Sequence, residues 1–187
     1  KEAGAEVVVQ PWLGYAKQKN WALDNLDLKA DWIFFLDADE AILPELRDEL
    51  LAIASKPVEE VEESGFNINR YFVFLGKRIR HCGYCTSWNV RFFKRGKARY
   101  EEREVHEHMV VDGHISNLTG LMLHWDRRGL EPYMAKHSRY AILEAKEILR
   151  QSKTVDHTID AKLFGSAQER RRWFKRHIYP RLPVRWL

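Results

Sequence analysis

Hydrophobic and polar positions alternate along this chain with two different periods. At residues 14–26 the apolar Tyr15, Ala22, Leu23 and Leu26 fall at helical spacing, with Lys17, Gln18, Lys19 and Asn20 in the first turns. A second helix is predicted over residues 44–54, with Pro44 in the first turn, Glu45 at the positive helix end, and Leu46, Leu50, Leu51 and Ala54 on one face. A third, over residues 130–150, carries Pro132 in its first turn and a stripe of Met134, Ala141, Ala145, Ile148 and Leu149, expected to pack in the core. Residues 65–75 start with period-two alternation and become uniformly apolar, and residues 87–94 repeat that character, so both read as strands. Val7, Val8 and Val9 are also strand-like.

The most informative run is Ile33-Phe34-Phe35-Leu36-Asp37-Ala38-Asp39-Glu40. Bulky side chains on both faces suit a central parallel strand covered by helices on both sides, and such sheets bind ligands at the carboxyl ends of their strands. Two meanings of the acids stay open. Asp37 and Asp39 can share a hard cation, Mg²⁺ or Mn²⁺, whose other ligands are phosphate and water, or they form an Asp-rich turn.

Three segments together carry a resemblance. Ala16-Lys17-Gln18-Lys19-Asn20-Trp21-Ala22-Leu23, then Asp31-Trp32 through Leu36-Asp37-Ala38-Asp39-Glu40, then Val105-His106-Glu107 resemble glycosyltransferase family 2, and within it the branch of bacterial lipopolysaccharide core β-glucosyltransferases. The likeness runs from about Val7 to Ala145. It implies an α/β fold of the GT-A nucleotide-diphospho-sugar transferase type, a Rossmann-like mixed sheet with flanking helices, here N-terminally incomplete. The expected organisation is a partial catalytic domain over residues 1–150 and a basic, aromatic segment over 151–187. The implied reaction is inverting transfer of a sugar, with UDP-glucose as the family-based donor, to a hydroxyl of a lipid-linked or lipopolysaccharide-core saccharide. Asp37 and Asp39 would hold the metal; Lys19, Asn20, Asp37 and Arg91 would meet substrate. The alternative is a non-catalytic carbohydrate-binding or membrane-associated scaffold.

Such transfer needs charge stabilisation on the departing diphosphate and a base for the incoming hydroxyl. Glu107 is the candidate base, with His106 or His108 as orienting partner and Glu104 as competitor; a surface network of Glu107 with Arg99 or Arg103 is the competing structural explanation. Arg91 and Lys94 either contact the diphosphate or face solvent from their strand.

Charge adds one feature. The net +4 divides into +6 over residues 166–187 and −2 over the rest. In that tail seven Lys or Arg residues are interleaved with Trp173, Phe174, Ile178, Tyr179, Leu182, Trp186 and Leu187, the mixture of an interfacial helix on anionic headgroups. With the resemblance, this implies peripheral contact at the inner face of the cytoplasmic membrane rather than nucleic-acid binding. Cys82 and Cys85 have Cys-x-x-Cys spacing but lack the second ligand pair of a structural zinc site.

Overall fold

The computed structural model describes residues 4–81, 87–101, 108–153, 162–164, 169–170, 173–174, 177–178 and 181. Glu107, His106, Glu104, Arg103, Cys82, Cys85 and much of the basic tail lie outside the described residues. The chain divides into two compact units, Lys1–Ala145 and Lys146–Leu187. In the second, the Trp173 ring meets Phe174 and His177 at 5.4 and 5.1 Å.

The first unit holds a mixed α/β arrangement. In chain order the elements are α1 (Tyr15–Asn25), β1 (Trp32–Phe34), β2 (Glu40–Ile42), α2 (Pro44–Ala54), a 3₁₀ turn (Val58–Glu60), β3 (Gly65–Phe74), β4 (Lys77–Arg78), β5 (Trp88–Lys94), β6 (Ala98–Tyr100), β7 (Met109–Val111), β8 (Ile115–Trp125) and α3 (Leu130–Lys153). The main sheet runs β1-β5-β3-β8-β2, with β4 added to β3; β6 and β7 form a separate ribbon. Only β3 and β8 pair in parallel among the described strands.

The core forms where α2 lies on the sheet. Leu46 and Leu50 meet Phe66 and Ile68 of β3, Phe92 of β5, and Leu118 and Met122 of β8, with Trp32 and Phe34 packed against them. Each such buried side chain contributes roughly 1.5–3 kcal/mol. Gly120 is what lets α2 come so close: a Cβ there would lie 2.4 Å from Leu46 Cα. The contact is stitched by the Glu49 carboxylate, which accepts from Gly120 N at 2.9 Å, from Thr119 N at 3.2 Å and from the Thr119 hydroxyl. Neighbouring Phe92 and Phe93 are 5% and 0% exposed, so both faces of the sheet are covered. Phe93 meets Phe35, which in turn meets Tyr100.

Several expectations are corrected. The apolar run at 33–36 is not a central parallel strand: β1 ends the sheet order and pairs antiparallel with β5. Trp32 and Phe34 pack against the core and Phe35 against Phe93 on the other face, which does not require parallel neighbours, while Leu36 is exposed. Val7, Val8 and Val9 are exposed and form no strand, for no described strand pairs with them. Leu51 points outward on α2. On α3 the stripe containing Met134, Ala141 and Ala145 is exposed; the helix instead presents Tyr133, His137 and Tyr140, spaced four and three apart, with Tyr133 on Phe74 and Tyr140 on Tyr15.

The β3–β4 hairpin turns at Leu75 and Gly76, both with positive φ, +48° and +77°, as a type I′ turn requires. Leu75 is the one non-glycine residue with positive φ among the described residues.

Candidate functional site

Local turn geometry gathers the acids. Residues 37–40 close a turn in which Glu40 N donates to the Asp37 carbonyl at 3.0 Å, while Asp37 N donates back to Glu40 Oε2 at 2.9 Å. From β8, Trp125 N donates to the Asp39 carbonyl at 2.8 Å. The turn is thus clasped from within and pinned to the strand beside it.

Cations surround its inner side. Arg91 Nη2 reaches Glu40 Oε1 at 2.8 Å and Asp37 Oδ2 at 3.0 Å. Lys19 Nζ, projecting from α1, lies 3.3 Å from Asp37 Oδ1 and over the Tyr100 ring. Arg70 Nη1 stands 3.6 Å from Glu40 Oε1, with its other nitrogen donating to Ser87 Oγ at 3.0 Å. A β-bulge aims Arg91: on β3 Phe66 pairs with Phe92 and Asn67 with Val90, so Arg91 is the extra residue, a device found next to active sites. The solvent-facing alternative for Arg91 does not hold, since its side chain is only 7% exposed. Lys94 bonds instead to the Val61 carbonyl.

The electrostatics follow. Burial alone would raise the Asp37 pKa, but Arg91 and Lys19 outweigh it and hold the carboxyl below its usual value. Burial opposes charge on Arg91 too, yet Glu40 and Asp37 keep its pKa raised. Three cations face two carboxylates, Asp37 and Glu40, the latter's side chain fully buried. Arg91 Nη1 is buried without a hydrogen-bond acceptor among the described residues.

Asp39 has different company. Its Oδ2 lies 3.3 Å from His124 Nε2, with a side chain 28% exposed. The imidazole stacks on Phe72 at 4.9 Å; burial lowers its pKa against the pull of Asp39, so it is neutral near pH 7. No Lys or Arg stands at ion-pair distance from Asp39 among the described residues.

A divalent ion can be tested against this donor set. Among the described residues no three His, Cys, Asp or Glu side chains form a metal cage. The carboxylates fit a hard cation that keeps phosphate and water as its other ligands. Asp39, with no Lys or Arg at ion-pair distance among the described residues and Arg128 acting on it only from further off, fits better than Asp37, whose two oxygens each face a cation.

Asn20 is brought near but faces elsewhere. It is 3% exposed, donates from Nδ2 to the Tyr100 carbonyl and accepts from Tyr100 N on Oδ1, both at 3.0 Å. These bonds make its amide position β6 against α1. Sequence reasoning passed over Arg70 and gave Glu40 and His124 no role at this turn. The available signal was a charged residue at the inward positions of otherwise apolar strands, which demands a buried partner.

No family model matches the chain. It is similar to the lipopolysaccharide core biosynthesis glycosyltransferase LpsC of Rhizobium meliloti (strain 1021), 32% identical over 149 residues, covering 77% of this chain and 52% of that protein. It is also similar to an uncharacterised glycosyltransferase of Rickettsia typhi, 25% identical over 97% of this chain and 62% of the relative, and to one of Rickettsia bellii, 30% identical over 80% and 53%. The chain therefore spans between half and two thirds of the length of these curated relatives. By sequence it is a homologue of curated glycosyltransferases and resembles the lipopolysaccharide core enzymes among them.

Proposed function

We propose that this chain forms the catalytic part of an inverting glycosyltransferase of GT-A type, moving a sugar from a nucleotide-diphospho-sugar to a saccharide hydroxyl. The observation that carries it is the Asp37–Glu40 turn, where Asp39, with no Lys or Arg at ion-pair distance among the described residues, stands beside the cations Lys19, Arg70 and Arg91. Two needs of the reaction are met there. Lys19, whose side chain is 20% exposed, binds and orients diphosphate oxygens, with Arg91 behind it fixing the turn, and Asp39, with Asp37 beside it, would hold Mg²⁺ or Mn²⁺. When bound, that ion neutralises charge developing on the leaving diphosphate.

The acceptor oxygen attacks the anomeric carbon as the bond from that carbon to the diphosphate oxygen breaks. The electron pair leaves with the diphosphate, and the hydroxyl proton passes to a carboxylate base, assigned to Glu107 with His106 orienting it. A lipid-linked acceptor at the membrane surface agrees with the basic, aromatic tail. No helix among the described residues is long and apolar enough to cross a membrane.

The test is turnover of a panel of nucleotide sugars, UDP-glucose included, with Mg²⁺ or Mn²⁺ added. Asp39→Asn is expected to lower transfer about 10²–10³-fold, the several kcal/mol a metal contributes. Glu107→Gln should cost roughly 10²–10⁴-fold with donor affinity unchanged. Transfer that persists in excess chelator sinks the metal role; full activity in Glu107→Gln sinks the base.

A further inference from the structure

A cleft of about 250 Å³ opens at the end of the sheet, lined by Phe74 and Leu75 of the β3–β4 hairpin, Trp125 at the end of β8, Asp126 and Arg127 after it, and Tyr133 of α3. Its volume falls below the roughly 300–1,000 Å³ of sites that enclose drug-sized ligands, so it admits one ring rather than a nucleotide sugar. Phe74 and Tyr133 touch at 4.7 Å between centroids with their planes 54° apart. Two tilted rings make a concave apolar wall, not the parallel slot that grips a flat base.

Polar groups stand beside that wall. Asp126 is locked by Arg128, whose Nε and Nη2 reach its two oxygens at 2.8 and 2.6 Å; it remains an ionised acceptor with lone pairs to spare. The Arg127 guanidinium lies 4.2 Å from the Trp125 ring centroid and supplies several N–H donors. A surface combining apolar ring faces with a fixed carboxylate and a guanidinium matches a pyranose, which has C–H faces and a rim of hydroxyls.

Position adds the decisive argument. Phe72 stacks on His124, the partner of Asp39. Phe74 lies two residues further along β3, hence on the same sheet face and about 7 Å on. The cleft therefore adjoins the Asp39 side of the acid turn.

We infer that this cleft is a subsite for one hexose ring of the saccharide acceptor. The inference rests on the glycosyltransferase reading given above, and binding separates the two. Methyl β-D-glucopyranoside, methyl α-D-mannopyranoside and uridine are titrated at millimolar concentration into the chain, following the Trp125 indole and Tyr133 ring signals by NMR. One or both glycosides are expected to shift these signals and uridine to leave them in place. Arg127→Ser, which changes an exposed residue, and Tyr133→Ala should each weaken glycoside binding roughly five- to tenfold. Shifts from uridine alone, none from any probe, or glycoside shifts unchanged in both variants overturn the subsite. Glycoside binding by a protein that turns over no nucleotide sugar overturns the transferase reading alone. An active enzyme whose acceptor KM is unmoved by Arg127→Ser overturns the subsite alone.

Discussion

Asp37 and Asp39 stand two residues apart in one turn, yet the fold holds them in opposite ways. On the Asp37 side the carboxylates are interlocked with Arg91, Lys19 and Arg70, and the Glu40 side chain is fully buried. On the Asp39 side the near neighbour is an imidazole, Arg128 acts only from further off, and no Lys or Arg stands at ion-pair distance among the described residues. The difference teaches that a symmetrical-looking motif can divide its labour: one acid anchors the turn to cations, and the other keeps its negative charge available.

That contrast can be broken by three substitutions. Glu40→Ala should have the largest effect on stability, about 3–5 kcal/mol by denaturant unfolding, because it leaves Arg91 and Arg70 buried with a lost partner. A loss below about 1 kcal/mol would mean that water enters and the interlocked side is no anchor. Asp37→Asn comes next, at about 1 kcal/mol, for its ion pairs are partly screened at 40% side-chain exposure.

The pH dependence of that second loss has a definite sign. The folded protein lowers the Asp37 pKa, so its contribution is present above the ordinary carboxylate pKa and disappears as pH falls through the lower folded value. The stability gap between wild type and Asp37→Asn should stand at pH 7 and close below about pH 4. A gap that persists in acid removes the ion pairs as its cause. Asp39→Asn is expected to change stability least, by no more than about 0.5 kcal/mol; a loss matching that of Asp37→Asn would erase the distinction.

Much of the fold was legible from local pattern. Pro44 and the Leu46/Leu50 spacing marked α2, and alternation at residues 65–75 marked β3, because these features depend on neighbours in the chain. Arg91 was less legible. Its burial depends on a bulge set by pairing with β3 and on acids over fifty residues away, and nothing local to Val90-Arg91-Phe92 encodes either. The stripe on α3 misled for a related reason: Tyr133 and His137 also lie on a helical face, and the aromatic residues of other elements decided which face docked. Glu107 and His106 stand on the sequence alone, a carboxylate flanked by imidazoles, outside the described residues.

The left-handed Leu75 at the hairpin tip has a consequence for engineering. An apolar side chain such as leucine's costs about 1–2 kcal/mol in that conformation, which Asn tolerates through local hydrogen bonding. Leu75→Asn should therefore raise the melting temperature while stripping a large apolar group from the cleft rim. A variant that melts higher but binds glycosides less well would mark this position as one where thermal robustness and ligand capture draw on the same few atoms, so that selecting for the first selects against the second.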